Sequence, residues 1–201
     1  MVNTRKPVLL IDVDGVVVTT KPHWSADLQR DFGFDKSALR EHFFAPFWAN
    51  IVTGRDDLLP RLAQALKAMN SNVNASDLRN YWFSNDATLN RDMLDWIAKR
   101  RQDGHRVMLA TNQDHSRAMY LMNNVGLEAH CNGIYHSAAL GVAKPNPLFF
   151  KHILEHENRE ASDLILINDT LQNVTAARVA GWQAHHFTGV AQLTTVMVNG
   201  D

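Results

Sequence analysis

Cysteine is nearly absent from this chain. Cys131 is the one thiol in 201 residues, so no intrachain disulfide can form and nothing speaks for an oxidising compartment. An excess of one charge is lacking too. Lys and Arg number 20 against 21 Asp and Glu, a formal net charge of -1. Without a basic surplus to displace counterions from phosphate, a nucleic-acid partner is not expected. Long apolar runs are also missing. The run from Pro7 to Ile11 is cut by Asp12, too short for a signal peptide and far below the roughly 18 residues of a membrane span. No lipidation signal stands at either end, and no repeat or low-complexity tract interrupts the text. A soluble cytoplasmic protein with no membrane partner is the expectation. Hydrophobic residues at 45% and charged ones at 20% are ordinary globular composition, which excludes disorder. The length fits one domain, or one domain carrying an insert.

Three short runs are apolar without alternation: Val8–Ile11, Val107–Ala110 and Leu164–Ile167. Such runs read as strands covered on both faces, the habit of a parallel sheet. Gly133-Ile134-Tyr135 is a weaker fourth. Between them the apolar spacing turns helical, as in Leu89, Met93, Trp96 and Ile97 before Gly104, or Ala118, Leu121, Met122 and Val125 before Gly126. Pro147 suits a first helical position, and Leu171, Val174 and Ala177 begin a helix that Gly181 ends. Strand and helix in alternation predict an α/β fold with a doubly wound parallel sheet. One stretch departs from the rhythm. From about Thr19 to Asn85 no strand run occurs, while residues 28–32, 39–48, 58–69 and 78–83 carry helical patterns. A helical bundle inserted after the first strand is expected, giving a core of residues 1–18 and 86–201 and an insert of residues 19–85.

The polar residues that follow each apolar strand carry the chemistry. Asp12, Asp14 and Gly15 follow the first, Thr111 and Asn112 the second, Asn168 and Asp169 the third, and Lys144 lies in the loop after the weak strand. Ligands of open α/β sheets bind beyond the carboxyl ends of the strands, so these groups should meet on one rim. Asp12 and Asp14, two apart on an extended segment, should leave the same side. Paired carboxylates repel and favour a divalent cation or a shared proton. Asp169 adds a third, and a hard ion such as Mg²⁺ takes oxygen ligands while keeping waters that a phosphate can replace. Lys144 and the Thr111 hydroxyl suit anionic oxygens. Gly15 permits a sharp turn after the strand.

The order IDVDGVV, LATN, AKPNP, INDTLQN resembles the four motifs of the haloacid dehalogenase-like hydrolases across nearly the whole chain. The resemblance implies a Rossmann-like core with a helical cap closing over the site. The stretch FFAPFWANIVTGRDDLLPRL is most similar to sugar-1-phosphate phosphatases and the phosphatase domain of epoxide hydrolases. By that likeness Asp12 is the nucleophile, and Asp14 the acid and then base. Mg²⁺ is held by Asp12, the Asp14 backbone carbonyl and Asp169, with Thr111, Asn112 and Lys144 on the phosphoryl group. The implied activity is hydrolysis of a small phosphorylated metabolite, a sugar phosphate among the candidates. Asn168 and Asn173 stand where a second acid commonly flanks the metal-binding Asp, which implies weaker metal binding. Asp14 argues against dehalogenation.

Several other residues invite a role. Phe43, Phe44, Phe47 and Trp48 have helical spacing and read as bundle core rather than a sugar platform. Arg55, in Thr53-Gly54-Arg55, is a candidate for gripping the non-reacting part of the substrate. His23 and Trp24 sit where core and insert meet. His185-His186 reads as strand edge and loop, and Cys131 as inert. A phosphosugar mutase would use the same aspartyl phosphate. A phosphate-binding regulatory module would need neither Asp-x-Asp nor the insert.

Overall fold

A computed structural model describes residues 6–19 and 24–197. Its strands are β1 (Val8–Ile11), β2 (Val18–Thr19), β3 (Thr88–Leu89), β4 (Val107–Thr111), β5 (Ile134–His136), β6 (Leu164–Asn168) and β7 (Gln183–His186). Five form a parallel sheet in the order β5-β4-β1-β6-β7. The chain runs outward from β1 to β4 and β5, then returns across β1 to β6 and β7. The order therefore reverses around β1, and its carboxyl end is the topological switch point where such sheets bind ligands. Register is regular: Leu9 pairs with Val107 on one side and Ile165 on the other.

The unbroken apolar runs are explained by what covers them. Leu9, Ile11, Val107, Leu109, Ile165 and Ile167 pack on one face with Met93, Trp96 and Leu121. Their neighbours Val8, Leu10, Met108, Ala110, Leu164 and Leu166 pack on the other with Phe149, Phe150 and Val174. Every residue of β1, β4 and β6 is buried. Truncating one of their leucines therefore removes contacts on a face with no solvent, at a cost of about 2–5 kcal/mol for Leu→Ala.

In the insert come α1 (Leu28–Phe32), α2 (Lys36–Leu39), α3 (Ala45–Ile51), α4 (Leu58–Ala68) and α5 (Ala75–Asn85). A π turn, Arg40–Phe44, joins α2 to α3, so the expected helix over 39–48 is a longer run with one irregular turn. Leu58, Leu62, Ala65 and Leu66 give α4 one buried face. They meet Phe43, Leu78 and Trp82 in a core separate from those of the sheet. Beyond the insert follow α6 (Arg91–Gln102), α7 (His115–Met119), α8 (Ser137–Leu140), α9 (Pro147–Glu157), α10 (Leu171–Val179) and α11 (Val190–Met197). Caps set several starts: the Asp114 side chain accepts from the N–H groups of Ser116 and Arg117, and Asn146 caps α9 with Pro147 in its first turn. Among the described residues no helix is long and apolar enough to cross a membrane.

Two devices tie insert to core. The antiparallel pair β2–β3 lies at the two crossings between them; two-residue strands leave no periodic signal in a sequence. Arg117, 2% exposed on α7, donates to the carbonyls of Phe83 and Asp86 at the end of α5. Its guanidinium also stacks over the Phe83 ring at 5.2 Å. Removing such a group would strand buried acceptors and Asp86, whose carboxylate lies 3.7 Å away.

Candidate active site

β1 ends at Ile11, and the next residues turn tightly. The Val13 carbonyl accepts from the N–H groups of Val16, Val17 and Val18 at 3.2, 2.9 and 2.8 Å. Gly15 sits in this turn at φ 77, where side chains are strained. A Cβ there would stand 2.1 Å from Asp169 Oδ2, so the missing side chain also makes room for that carboxylate. The Asp12 carboxylate is fixed from several directions. Its Oδ1 accepts from the Val13 N–H at 2.8 Å. Its Oδ2 accepts from Asn168 Nδ2 at 2.5 Å and lies 2.9 Å from Lys144 Nζ. Lys144 is buried, and its ammonium also donates to the Ala110 carbonyl at 2.7 Å.

Asp12, Asp14, Gly15, Thr111, Asn112, Lys144, Asp169, Thr170 and Asn173 bound one cavity of about 250 Å³. Of the residues singled out from the strand ends, all but the fully buried Asn168 line it; Arg55 does not. It is exposed in a loop whose Gly54 packs against the Ala138 carbonyl. Phe43 is buried in the insert, as its spacing indicated, whereas Phe44, Phe47 and Trp48 stay half-buried. His23 lies outside the described residues. His186 serves the loop after β6, where its Nε2 lies 2.8 Å from the Asp169 carbonyl. Because a carbonyl only accepts, that nitrogen carries the proton. Cys131 is buried, and burial pushes its thiol up.

The structure amends the expected three-carboxylate cluster. Asp14 is part of the turn rather than an extended strand, and its Oδ2 accepts from Gln113 Nε2 at 2.5 Å. Its Oδ1 is buried with no hydrogen-bond partner. Among the described residues no three His, Cys, Asp or Glu side chains close into a metal cage. Asp12 and Asp169 remain as the facing pair. Burial raises the Asp169 carboxyl above its ordinary value, and the Asp12 charge raises it further. Two repelling carboxylates beside a space kept clear by a glycine fit a hard cation with oxygen ligands. Asp14 is pushed up to about 6, mainly by burial, with the Arg117 charge opposing and those of Asp12 and Asp86 adding. One buried acid whose carboxyl is pushed up to about 6 and another in contact with a lysine are suited to separate roles.

Three amides serve the site in ways the sequence did not indicate. Asn112 turns out to brace Lys144: its amide donates to the Lys144 carbonyl at 2.9 Å and accepts from the Lys144 N–H at 2.8 Å. Its side chain thereby ties the end of β4 to the loop that carries Lys144. Asn168 is a relay, accepting from the Thr170 N–H at 2.8 Å and Asn173 Nδ2 at 3.3 Å while donating to Asp12. These two amides therefore orient Asp12 itself. Gln113 holds Asp14, and no spacing rule marks a glutamine two residues beyond a strand end.

Comparison with known proteins gives a consistent picture. A sequence profile described as haloacid dehalogenase-like hydrolase matches residues 7–181. A HAD family enzyme of Bacteroides thetaiotaomicron, solved in complex with magnesium and inorganic phosphate, superposes with a TM-score of 0.79 at 18% identity, covering 94% of this chain and 98% of that one. A HAD-like family hydrolase of Porphyromonas gingivalis gives 0.75 at 15%, covering 96% and 98%. At such identities these likenesses speak for the fold. A curated sesquiterpene phosphatase of Aspergillus oryzae is 32% identical over 83 residues, a match spanning 35% of this chain and 42% of that protein.

Proposed function

The chain belongs to the haloacid dehalogenase-like hydrolases, and from that premise we propose that it is a magnesium-dependent phosphatase acting on a small phosphorylated metabolite. The observation that carries this reading is the pairing of a lysine-held carboxylate, Asp12, with a second acid, Asp14, kept near neutral pH in the same cavity. Asp12 Oδ1 and Oδ2 are oriented by Val13, Asn168 and Lys144, so the nucleophile is presented in one geometry rather than many. It attacks phosphorus, the bond to the leaving oxygen breaks, and an aspartyl phosphate forms on Asp12. Asp14 delivers its proton to the leaving oxygen. It then accepts a proton from the water that cleaves the acyl phosphate. Lys144 and the Thr111 hydroxyl stabilise charge on the transferring oxygens.

Asp12, Asp169 and the Asp14 backbone carbonyl are the groups that would hold magnesium, which screens the phosphate's charge from the carboxylates when bound. The magnesium and phosphate complex of the Bacteroides thetaiotaomicron enzyme supports this assignment. We assign the insert, residues 19–85, as the cap over a core of residues 1–18 and 86–201. Its own hydrophobic core and the Arg117 attachment support that division. As to the leaving group, the motif resemblance points to a sugar phosphate. The name of the Aspergillus oryzae relative points to a terpene phosphate, a group of opposite polarity.

The test is release of inorganic phosphate from a panel of phosphomonoesters. Chelation should stop turnover and added Mg²⁺ restore it, and Asp12→Asn should abolish it with the fold intact by circular dichroism. Turnover by Asp12→Asn within a few-fold of the unaltered enzyme would remove Asp12 as nucleophile.

A further inference from the structure

Among the described residues, the side chains of the insert leave a space unfilled. A second cavity, of about 540 Å³, is walled by Trp24, Phe44, Trp48 and Trp82, with the exposed Lys36 and Arg40 also on its boundary. That volume lies within the roughly 300–1,000 Å³ of small-molecule sites. Trp82 is the hub of the aromatic wall. It stacks on Trp24 at 5.0 Å, meets Phe44 edge-on at 5.6 Å and Trp48 at 5.7 Å. The π turn Arg40–Phe44 brings both of its end residues to this wall, and such turns recur at functional sites.

The cavity is bounded at the junction of insert and core. Trp24 and Asp86 stand on the segments entering and leaving the insert, and both bound it. Trp82 Nε1 donates to Asp86 Oδ2 at 3.2 Å. Asp86 is also near enough to Asp14 for its charge to be felt there. One acid thus borders the aromatic cavity and is close enough to the general acid to act on its charge.

Four rings around one space favour hydrocarbon. A sugar would have to use Ser25, Lys36, Ser37, Arg40 and Asp86, which also line the cavity, because the ring faces offer its hydroxyls no partner. A branched, unsaturated chain has nothing to pair and gains from every face. We propose that this cavity seats the hydrocarbon part of the substrate, making the preferred substrates isoprenoid-type alkyl phosphates. The substrate half of this statement rests on the phosphatase reading; the binding half does not.

The experiment has two arms, with ligands kept below micelle-forming concentrations. In the first, farnesol, which has no phosphate, is titrated into the full chain and tryptophan fluorescence is followed. Saturable quenching is expected, weakened at least about tenfold in Trp48→Leu, with Phe44→Leu as the second variant should the first fail to fold. In the second, kcat/KM with Mg²⁺ is compared for ethyl, geranyl and farnesyl phosphate and glucose 1-phosphate. Burial gains roughly fourfold per methylene, so farnesyl phosphate should exceed ethyl phosphate by at least about 100-fold, and Trp48→Leu should shrink that ratio. Saturable farnesol binding with no ester hydrolysed supports the cavity and defeats the phosphatase reading. Absent farnesol binding, or glucose 1-phosphate turned over as well as farnesyl phosphate, overturns the proposal and leaves the phosphatase reading intact.

Discussion

Asp14→Asn should make the protein more stable and inactive at once, and the size of the gain follows from where Asp14 sits. Its carboxyl has one oxygen bonded to Gln113 and the other buried without a partner, and its pKa is pushed from 3.8 to about 6 chiefly by burial. The folded state therefore holds this proton more tightly than the unfolded chain does. Between about 3.8 and 6 the folded protein binds more protons, so stability falls as pH rises through that window. Above it the ionised group is held at a full penalty of about 3 kcal/mol. Asparagine keeps the acceptor for Gln113 and removes the charge. Its amide leaves a donor where Oδ1 was buried, which costs about 1 kcal/mol. A net gain of about 2 kcal/mol at pH 7.5 is expected, or roughly 4–8 °C in Tm for a chain of this size. The assay is urea unfolding of both proteins from pH 3.5 to 8 in chelator, since a bound cation would stabilise them unequally. At the acid end, where only the amide's cost remains, the variant should be the less stable by about 1 kcal/mol, and the curves should cross and separate as pH rises through the window. Phosphate release by the variant should fall at least about 100-fold, because asparagine has no proton to give. A variant less stable than the parent at pH 7.5, or a difference that ignores pH, would refute the reasoning.

Two further substitutions probe the groups around Asp12. Asn168→Ala removes the donor to Asp12 and the acceptor for Thr170 and Asn173; kcat/KM for phosphate release should fall about 10–100-fold, and a loss under threefold would mean Asp12 is oriented without it. Gly15→Ala puts a methyl group onto the Asp169 carboxylate in a left-handed turn. It should destabilise the fold by more than about 1 kcal/mol and raise the Mg²⁺ concentration for half-maximal turnover; unchanged values in thermal melts and magnesium titrations would count against the Gly15–Asp169 contact.

How far the sequence disclosed this protein depends on whether a feature is local. β1, β4 and β6 were legible because strands covered on both faces must be apolar at every position. β7 was not, since Gln183-Ala184-His185-His186 lies at the sheet's edge with only Ala184 fully buried. Asp12, Lys144, Thr111 and Asp169 could be assembled because a parallel sheet gathers its strand ends on one rim. What Gln113, Asn168 and Asn112 do depends on hydrogen bonds to residues 99, 156 and 32 positions away, which no local pattern encodes. Asp14 was misjudged in one respect: a strand ending at Ile11 gives a turn, not an extended pair of acids. Phe44 and Trp48 carried the helical spacing of core residues, and only packing shows that they stop short of filling it.

The covalent step on Asp12 is the claim from which the rest follows, and trapping it is the most direct test. Enzyme mixed with Mg²⁺ and a hydrolysable phosphomonoester is quenched in acid within the first turnover, digested and examined by mass spectrometry. The account predicts one phosphoryl group on the peptide containing Asp12, absent in Asp12→Asn and without substrate. Rapid phosphate release with that peptide unmodified, or the modification on another residue, would contradict it.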